Sequence, residues 1–347
     1  LELTLPSRTA PTLPALAFAF ALLLAPAHSA RAASDHPVQS VQEASAEQTL
    51  IAPRPWLIRT GFGLGFLEAN IHGTEQARVG EYSSNPNMTV SGALGYQGLV
   101  LGASIGVGNV LSSETHGVSR GFTLAAAYPL RVFDRELVIS GLAQDYRGMV
   151  QVDPDAASGS NDDTGPISVE KHLRSYLYQV SSTLYLNRNF SFEEMSTRVS
   201  RRKFVGSWHV GLAYAAFGAR NAAPLALYDP ARRTLVTDEG AMGVRSLDAR
   251  SLSLPIGGQA YAVEQTRWYA LFGGYAGPAL NQGRADDGAL SRLRLSGVLG
   301  FGVGAGYTAD WWHTGLTADL RIHSLHLAEA SLFLVSGVVG SELGVLF

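Results

Sequence analysis

From Trp56 to Phe347 apolar side chains recur at every second position, a period that a chain can satisfy only as strands with two unlike faces. In the first such segment Trp56, Ile58, Phe62, Leu64 and Phe66 share one face, while Arg59, Gly61, Gly63 and Gly65 share the other. In the second, Met88, Val90, Leu94 and Tyr96 oppose Thr89, Ser91, Ala93 and Gly95; in the third, Leu99, Leu101, Ala103, Ile105 and Val107 oppose Gly102, Ser104 and Gly106. The fourth puts Phe122, Leu124, Ala126 and Tyr128 together, and later segments fall near 135–147, 172–186, 203–217, 251–264, 267–279, 292–307, 311–323 and 331–347. Alternation is weakest in 135–147, 251–264 and 267–279. The count is about twelve, most of them as long as a tilted membrane strand has to be.

Connections alternate short and long. Tight links are expected at Gln97, Pro129 to Asp134, Glu264 to Arg267 and Thr308 to Trp311. Longer polar ones are expected at 69–87, 109–118, 148–171, 218–249 and 280–290, rich in the Gly, Asp, Asn and Ser that solvent loops favour. One link breaks the pattern: 187–202 (NRNFSFEEMSTRVSRR) is long on the side where turns are short, and periodicity gives no reason for it. An even strand number then leaves both chain ends on the short-turn side, the periplasmic side of an outer-membrane barrel.

Alternation alone does not say whether the apolar face points inward or outward, but side-chain size does. A small soluble barrel fills its interior with large residues, whereas here the second face is mostly Gly, Ala, Ser and Thr with scattered charges, which suits a lumen. Trp56, Tyr96, Tyr128, Trp268, Tyr269, Trp311, Trp312 and Phe347 gather at the strand ends nearest the short turns, as an aromatic belt at a membrane interface would. The expected fold is therefore all-β, a transmembrane up-and-down antiparallel barrel over 55–347. Composition agrees: 16% of residues are charged, 46% are hydrophobic and there are 38 glycines, so apolar surface is plentiful but comes in short pieces. A net charge of -3 offers no basic stripe for nucleic acid, and the absence of cysteine excludes disulfides, thiol catalysis and Cys-ligated metals.

Residues 15–25 (ALAFAFALLLA) are too short to span a bilayer, follow Arg8 and precede Ala30-Arg31-Ala32, a small-x-small cleavage pattern. They imply a signal peptide over 1–32, followed by a polar, flexible periplasmic lead-in over 33–54. At the other end Leu343, Val345 and Phe347 alternate up to a terminal aromatic, a closing strand that a barrel-assembly machinery could recognise.

The segments LYLNRNFSF (184–192) and RRKFVGSWHVGLAY (201–214), with Asn85-Pro86-Asn87 leading to the hairpin at Tyr96-Gln97-Gly98-Leu99, resemble bacterial outer-membrane proteins classed only as a domain of unknown function. The resemblance implies one barrel across most of the chain and carries no activity with it.

With the small-residue face inward, the lumen would carry Arg59, His209, Arg292, Arg294, His313, Asp319, Arg321 and His323. An arginine facing lipid at mid-membrane costs about 2 to 4 kcal/mol, which favours that assignment. Two readings follow: Asp319 and the arginines brace the wall as salt bridges, or Arg292, Arg294 and Arg321 line an anion-preferring path for small solutes. The expected function is a pore or export channel for small solutes, and a structural or surface-receptor barrel working through its outer loops is the alternative. A lipid hydrolase built on Ser324, His323, His326 and Glu329 is a third reading, without a G-x-S-x-G elbow to support it. His323 and His326, three apart on a strand, point to opposite faces and make a poor metal pair. No cofactor is implied, and the expected partners are outer-membrane lipids, the assembly machinery and small solutes.

Overall fold

The computed structural model describes residues 56–73, 79–110, 118–152, 168–198, 204–222, 227–229, 234–236, 245–264, 267–286, 291–326 and 330–347. The proposed signal peptide and lead-in lie outside them. In chain order the elements are β1 (Trp56–Gly73), β2 (Val79–Ser83), β3 (Asn87–Tyr96), β4 (Leu99–Asn109), β5 (Arg120–Val132), β6 (Arg135–Val152), β7 (Ser168–Tyr185), helix α1 (Phe192–Thr197), β8 (Phe204–Arg220), β9 (Leu227–Asp229), β10 (Thr234–Val236), β11 (Ser246–Ser253), β12 (Ile256–Val263), β13 (Trp268–Ala285), β14 (Arg294–Thr308), β15 (Trp312–His326) and β16 (Ala330–Leu346).

These strands form a closed antiparallel barrel of twelve staves with two extra strands. β2 and β3 are one stave bent at 84–86, since both pair with β1. β11 and β12 are one stave broken at Leu254-Pro255, where proline has no N–H for the ladder and its carbonyl instead accepts from Gly211 N at 2.8 Å. Closure is made by β1 against β16, in register from Leu57↔Leu346 to Gly73↔Ala330, which removes the free edge. The extra strands β9 and β10 form a small hairpin that extends the sheet from β2.

Short turns, the start of β1, the end of β16 and a group of aromatics mark one end of the barrel, here the turn end. Gln97 and Gly98 both have positive φ, the twist that matches a two-residue hairpin, and a Cβ on Gly98 would lie 2.6 Å from Pro129 Cγ. At this end Trp56 stacks on Phe347 at 6.3 Å and touches Tyr96 at 4.4 Å between ring centroids. Outside the wall, Phe62, Leu64, Phe204, Trp208, Leu212, Phe301 and Leu316 stand exposed in a continuous apolar band, with Trp208 72% accessible. Water would leave that band unsatisfied, so it is the lipid-facing surface of a membrane barrel.

Toward the other end, the loop end, the barrel tapers. β4 and β5 stop short, and β2 pairs directly with β6 from Glu81↔Val152 to Ser83↔Val150, so the ring loses two staves. Because barrel diameter follows strand number, the lumen narrows there. Ser119 seals the junction: its hydroxyl accepts Asn85 N–H at 2.8 Å and donates to the Gly148 carbonyl, while its own N–H reaches Asn109 Oδ1 at 3.0 Å. Gly148, at φ 75°, leaves no room for a side chain, since a Cβ would sit 2.2 Å from the Val118 carbonyl oxygen.

The strands run further than alternation indicated. Residues 69–73, 79–83, 148–152, 168–171 and 280–285, expected as loop, are strand. The reason is an inversion of the pattern: near the loop end the large apolar residues turn inward, and Arg and Asp turn outward.

Candidate functional site

The described part of the link after β7, from Leu186 to Arg198, explains the length that periodicity could not. Asn187 anchors it, donating from Nδ2 to the Gly206 carbonyl at 2.7 Å and accepting Asn189 N–H on its own Oδ1 at 3.0 Å. Phe190 then folds back onto Tyr185 (ring centroids 4.1 Å apart) and meets Tyr261 edge-on. Ser191 caps α1 through Glu194 N–H at 3.2 Å, Glu193 and Glu194 occupy the positive first turn, and Arg198 ends the helix in the left-handed region.

This short helix is packed inside the barrel. Met195, Ser196 and Thr197 are buried. Phe192 N–H donates to Glu136 Oε1 on β6 at 2.8 Å, and Tyr261 Oη on β12 donates to Glu194 Oε2 at 2.8 Å. Arg198 reaches Glu342 on β16 with Nε–Oε1 at 2.7 Å and Nη2–Oε2 at 3.2 Å, a two-pronged contact between nearly buried groups. Around the closed ring β16 stands six staves from β7, so the link crosses the lumen from wall to opposite wall. Glu342 also accepts from Tyr269 Oη at 3.1 Å and faces Arg59 at 3.4 Å, and the Arg198 guanidinium lies over the Tyr269 ring. Burial works against the charge on Arg198, but the Glu342 carboxylate beside it, with Tyr269, holds its pKa above the ordinary arginine value.

Beside this link lies a cavity of about 560 Å³, bordered by Met195, Ser196 and Arg198 of the link and by Gln179, His209, Tyr275, Asp319 and Arg321 of the wall. Arg321 donates from Nε to Asp319 Oδ1 at 2.9 Å. Beyond the cavity, where the ring narrows, Leu67, Tyr82, Met149, Leu173, Leu177, Phe217, Leu247, Leu325, Leu332 and Leu334 interlock as one apolar layer, each at most 1% exposed. Among the described residues the lumen is thus crossed by a polar, charged link at the turn end and filled by an apolar layer at the loop end.

The sequence candidates distribute as follows. Arg59 faces Glu342, and His313 is buried beside it. His209, Asp319 and Arg321 border the cavity, while His323 sits in the apolar layer 5.5 Å from the Phe217 ring. Arg292 and Arg294 stand apart from these: one precedes β14 and the other opens it, both exposed at the loop end and away from the cavity. Ser324 and His323 face opposite sides of β15, and the Ser324 hydroxyl is held by Gly297, accepting its N–H at 3.1 Å and donating to its carbonyl at 3.0 Å. Sequence reasoning missed Glu342, Arg198, Glu136 and Tyr261. The available signals were a lone carboxylate in the otherwise uncharged SGVVGSELGVL and, far from it in the chain, an overlong basic link.

A closed twelve-stave wall and an apolar exterior band define a transmembrane β-barrel of the outer-membrane type. The chain belongs to a family described as Domain of unknown function (DUF4421), whose model matches residues 67–343. No curated protein matches it. Among solved structures it is similar to the outer membrane protease OmpT from Escherichia coli (TM-score 0.40, 8% identity, 87% of this chain and 100% of that one). It is also similar to the translocator domain of the autotransporter NalP from Neisseria meningitidis (0.39, 12%, 85% and 90%) and to the Pseudomonas putida toluene transporter TodX (0.33, 11%, 88% and 95%). Likenesses this distant carry nothing about activity.

Proposed function

We propose that this chain is a closed barrel of the bacterial outer membrane, with both termini periplasmic and the loop end outside, acting through its outer surface and not as a standing pore. What supports the reading is the link held across the lumen by Arg198 and Glu342 at one end, together with the buried apolar layer around Phe217 at the other. An open channel keeps its interior polar and hydrated, whereas the narrowed end here is filled by apolar side chains buried as in a protein core. The β9–β10 hairpin paired to β2 supports a role for the outer loops, since it adds ordered surface at that end. We assign recognition by the barrel-assembly machinery to the closing strand, whose Phe347 exchanges backbone hydrogen bonds with Trp56 at 3.1 and 3.2 Å.

The test is single-channel conductance of the refolded protein in a planar bilayer, after heat-modifiable gel migration has established that the barrel is folded. A silent bilayer is expected. Steady conductance from the unmodified chain would overturn the closed reading.

A second reading, passage or export of small solutes, is favoured by the cavity beside the link and its Asp319–Arg321 pair. It requires both the link and the apolar layer to open. In that case releasing the link by Glu342→Ala, together with Phe217→Ser in the apolar layer, gives conductance, and Arg321→Ala lowers its anion preference.

A further inference from the structure

Outside the barrel, just below the taper, four arginines stand side by side on adjacent strands: Arg120 opposite Arg147, Arg147 opposite Arg174 and Arg174 opposite Arg220. Paired residues on antiparallel strands point to the same side, and these share the parity of the exposed Leu124, Tyr128, Val180 and Tyr214, so the row faces the membrane side of the wall. Like charges placed directly opposite one another repel, and such a row persists only where something neutralises it. The next positions along the same face bring two carboxylates, Asp145 and Asp248, together with Arg284; Arg250 follows one row lower.

Those two carboxylates are already committed. Asp145, with its side chain 4% exposed, takes Arg174 in a close contact and Arg147 at 3.7 Å. Asp248 takes Arg220 at 2.9 Å, Arg284 at 3.6 Å and the Tyr176 hydroxyl. The aspartates aim the guanidinium planes without cancelling them: six arginines stand against Asp145, Asp248 and, beyond Ser246 at the far end of the arginine row, Asp286, and Arg147 keeps 67% of its side chain accessible. With strands about 4.8 Å apart the arginine row spans about 14 Å. Immediately beneath it on the lipid-facing side lie Phe122, Tyr176, Tyr178 and Tyr214, with Tyr176 and Tyr178 stacked at 5.4 Å and Arg220 over the Tyr176 ring. From Leu184 to Arg174, ten residues of tilted strand cover about 25 Å, the height of a barrel's apolar band, so the row stands at the headgroup level of the leaflet at the loop end.

We propose that this face is a binding site for a phosphate-bearing lipid of that leaflet. The phosphate sits against the guanidinium row, which offers paired N–H donors suited to its oxygens, and the acyl chains lie along the aromatic and aliphatic surface below. Binding on the exterior does not depend on whether the lumen conducts.

The test uses the refolded full chain in a non-ionic detergent, titrated with short-chain phosphatidic acid, with the matching diacylglycerol and with inorganic phosphate, following the unfolding midpoint and the affinity. Phosphatidic acid is expected to bind and raise the midpoint, inorganic phosphate to bind at least about tenfold more weakly, and diacylglycerol to leave the midpoint unchanged. Arg120→Gln with Arg147→Gln is expected to weaken phosphatidic acid about tenfold, while Arg292→Gln with Arg294→Gln, exposed charges elsewhere at the loop end, leaves it unchanged. If the first pair fails to give a heat-modifiable barrel, Arg147→Gln alone carries the comparison, with a loss of about threefold expected. The proposal falls if inorganic phosphate binds as tightly as the lipid, if diacylglycerol stabilises equally, or if the Arg120 and Arg147 variants bind like the unmodified chain.

Discussion

β7 and β8 show within single strands how differently the two halves of this barrel are built. In the turn-end half the inward residues of β7 are Tyr185, Thr183, Ser181 and Gln179, and the outward ones include Leu184 and Val180. In the loop-end half the inward residues become Leu177 and Leu173, and the outward ones Tyr176 and Arg174. β8 repeats the change, from inward Ser207 and His209 to inward Phe217, and from outward Trp208 and Leu212 to outward Arg220. The same period of two therefore serves two solvents: lipid outside a roomy polar interior below, and a headgroup-level polar exterior around a packed interior above. A strand can invert its faces without a break, because only the order of residue types has to change.

If the upper half is a packed core, the largest effect comes from emptying it. Phe217→Ala is expected to cost about 3–5 kcal/mol in denaturant unfolding of the folded barrel. A loss below 1 kcal/mol would place this layer closer to a hydrated channel than to a core. The lower half depends on paired charge, so Glu342→Ala, which leaves Arg198 and Arg59 without their carboxylate, is expected to cost about 3 kcal/mol and to expose the link to protease. Because the two sites share no partner, the two losses should add when the substitutions are combined. Strong coupling would mean that the link and the layer act as one unit.

Smaller effects sharpen the same division. Gly98→Ala forces a side chain onto φ 85° against Pro129 and is expected to destabilise the barrel by about 1–2 kcal/mol without affecting the link. Ser191→Ala removes the cap of α1 and is expected to cost about 1 kcal/mol, seen as faster amide exchange at Glu194 while the strands remain protected. Equal loosening of the strands would contradict a link that folds as an insert within a finished wall.

Much of the wall could be read from residue order. Trp56 to Phe66, Met88 to Tyr96 and Leu99 to Val107 alternate cleanly because each lies wholly in the half where lipid faces one side and a roomy lumen the other. The strand ends at 168–171, 218–220 and 280–285 read as loops because Glu170, Lys171, Arg220 and Arg284 look like solvent residues until their neighbours are known. Of the candidate site, Arg59, His313, Asp319 and Arg321 were visible as charges on the small-residue face. Glu342 was overlooked, since its partner Arg198 is 144 positions away and belongs to a link with no period to read.

The sequence by itself determined the barrel class, the approximate stave number and which face meets lipid, because these depend on the type of residue at every second position. Only the tertiary structure decided the taper, the helix drawn across the lumen and the row of arginines on the outer wall. Each of these depends on which strands become neighbours and in what register, and pairing between distant segments leaves no local trace in the chain.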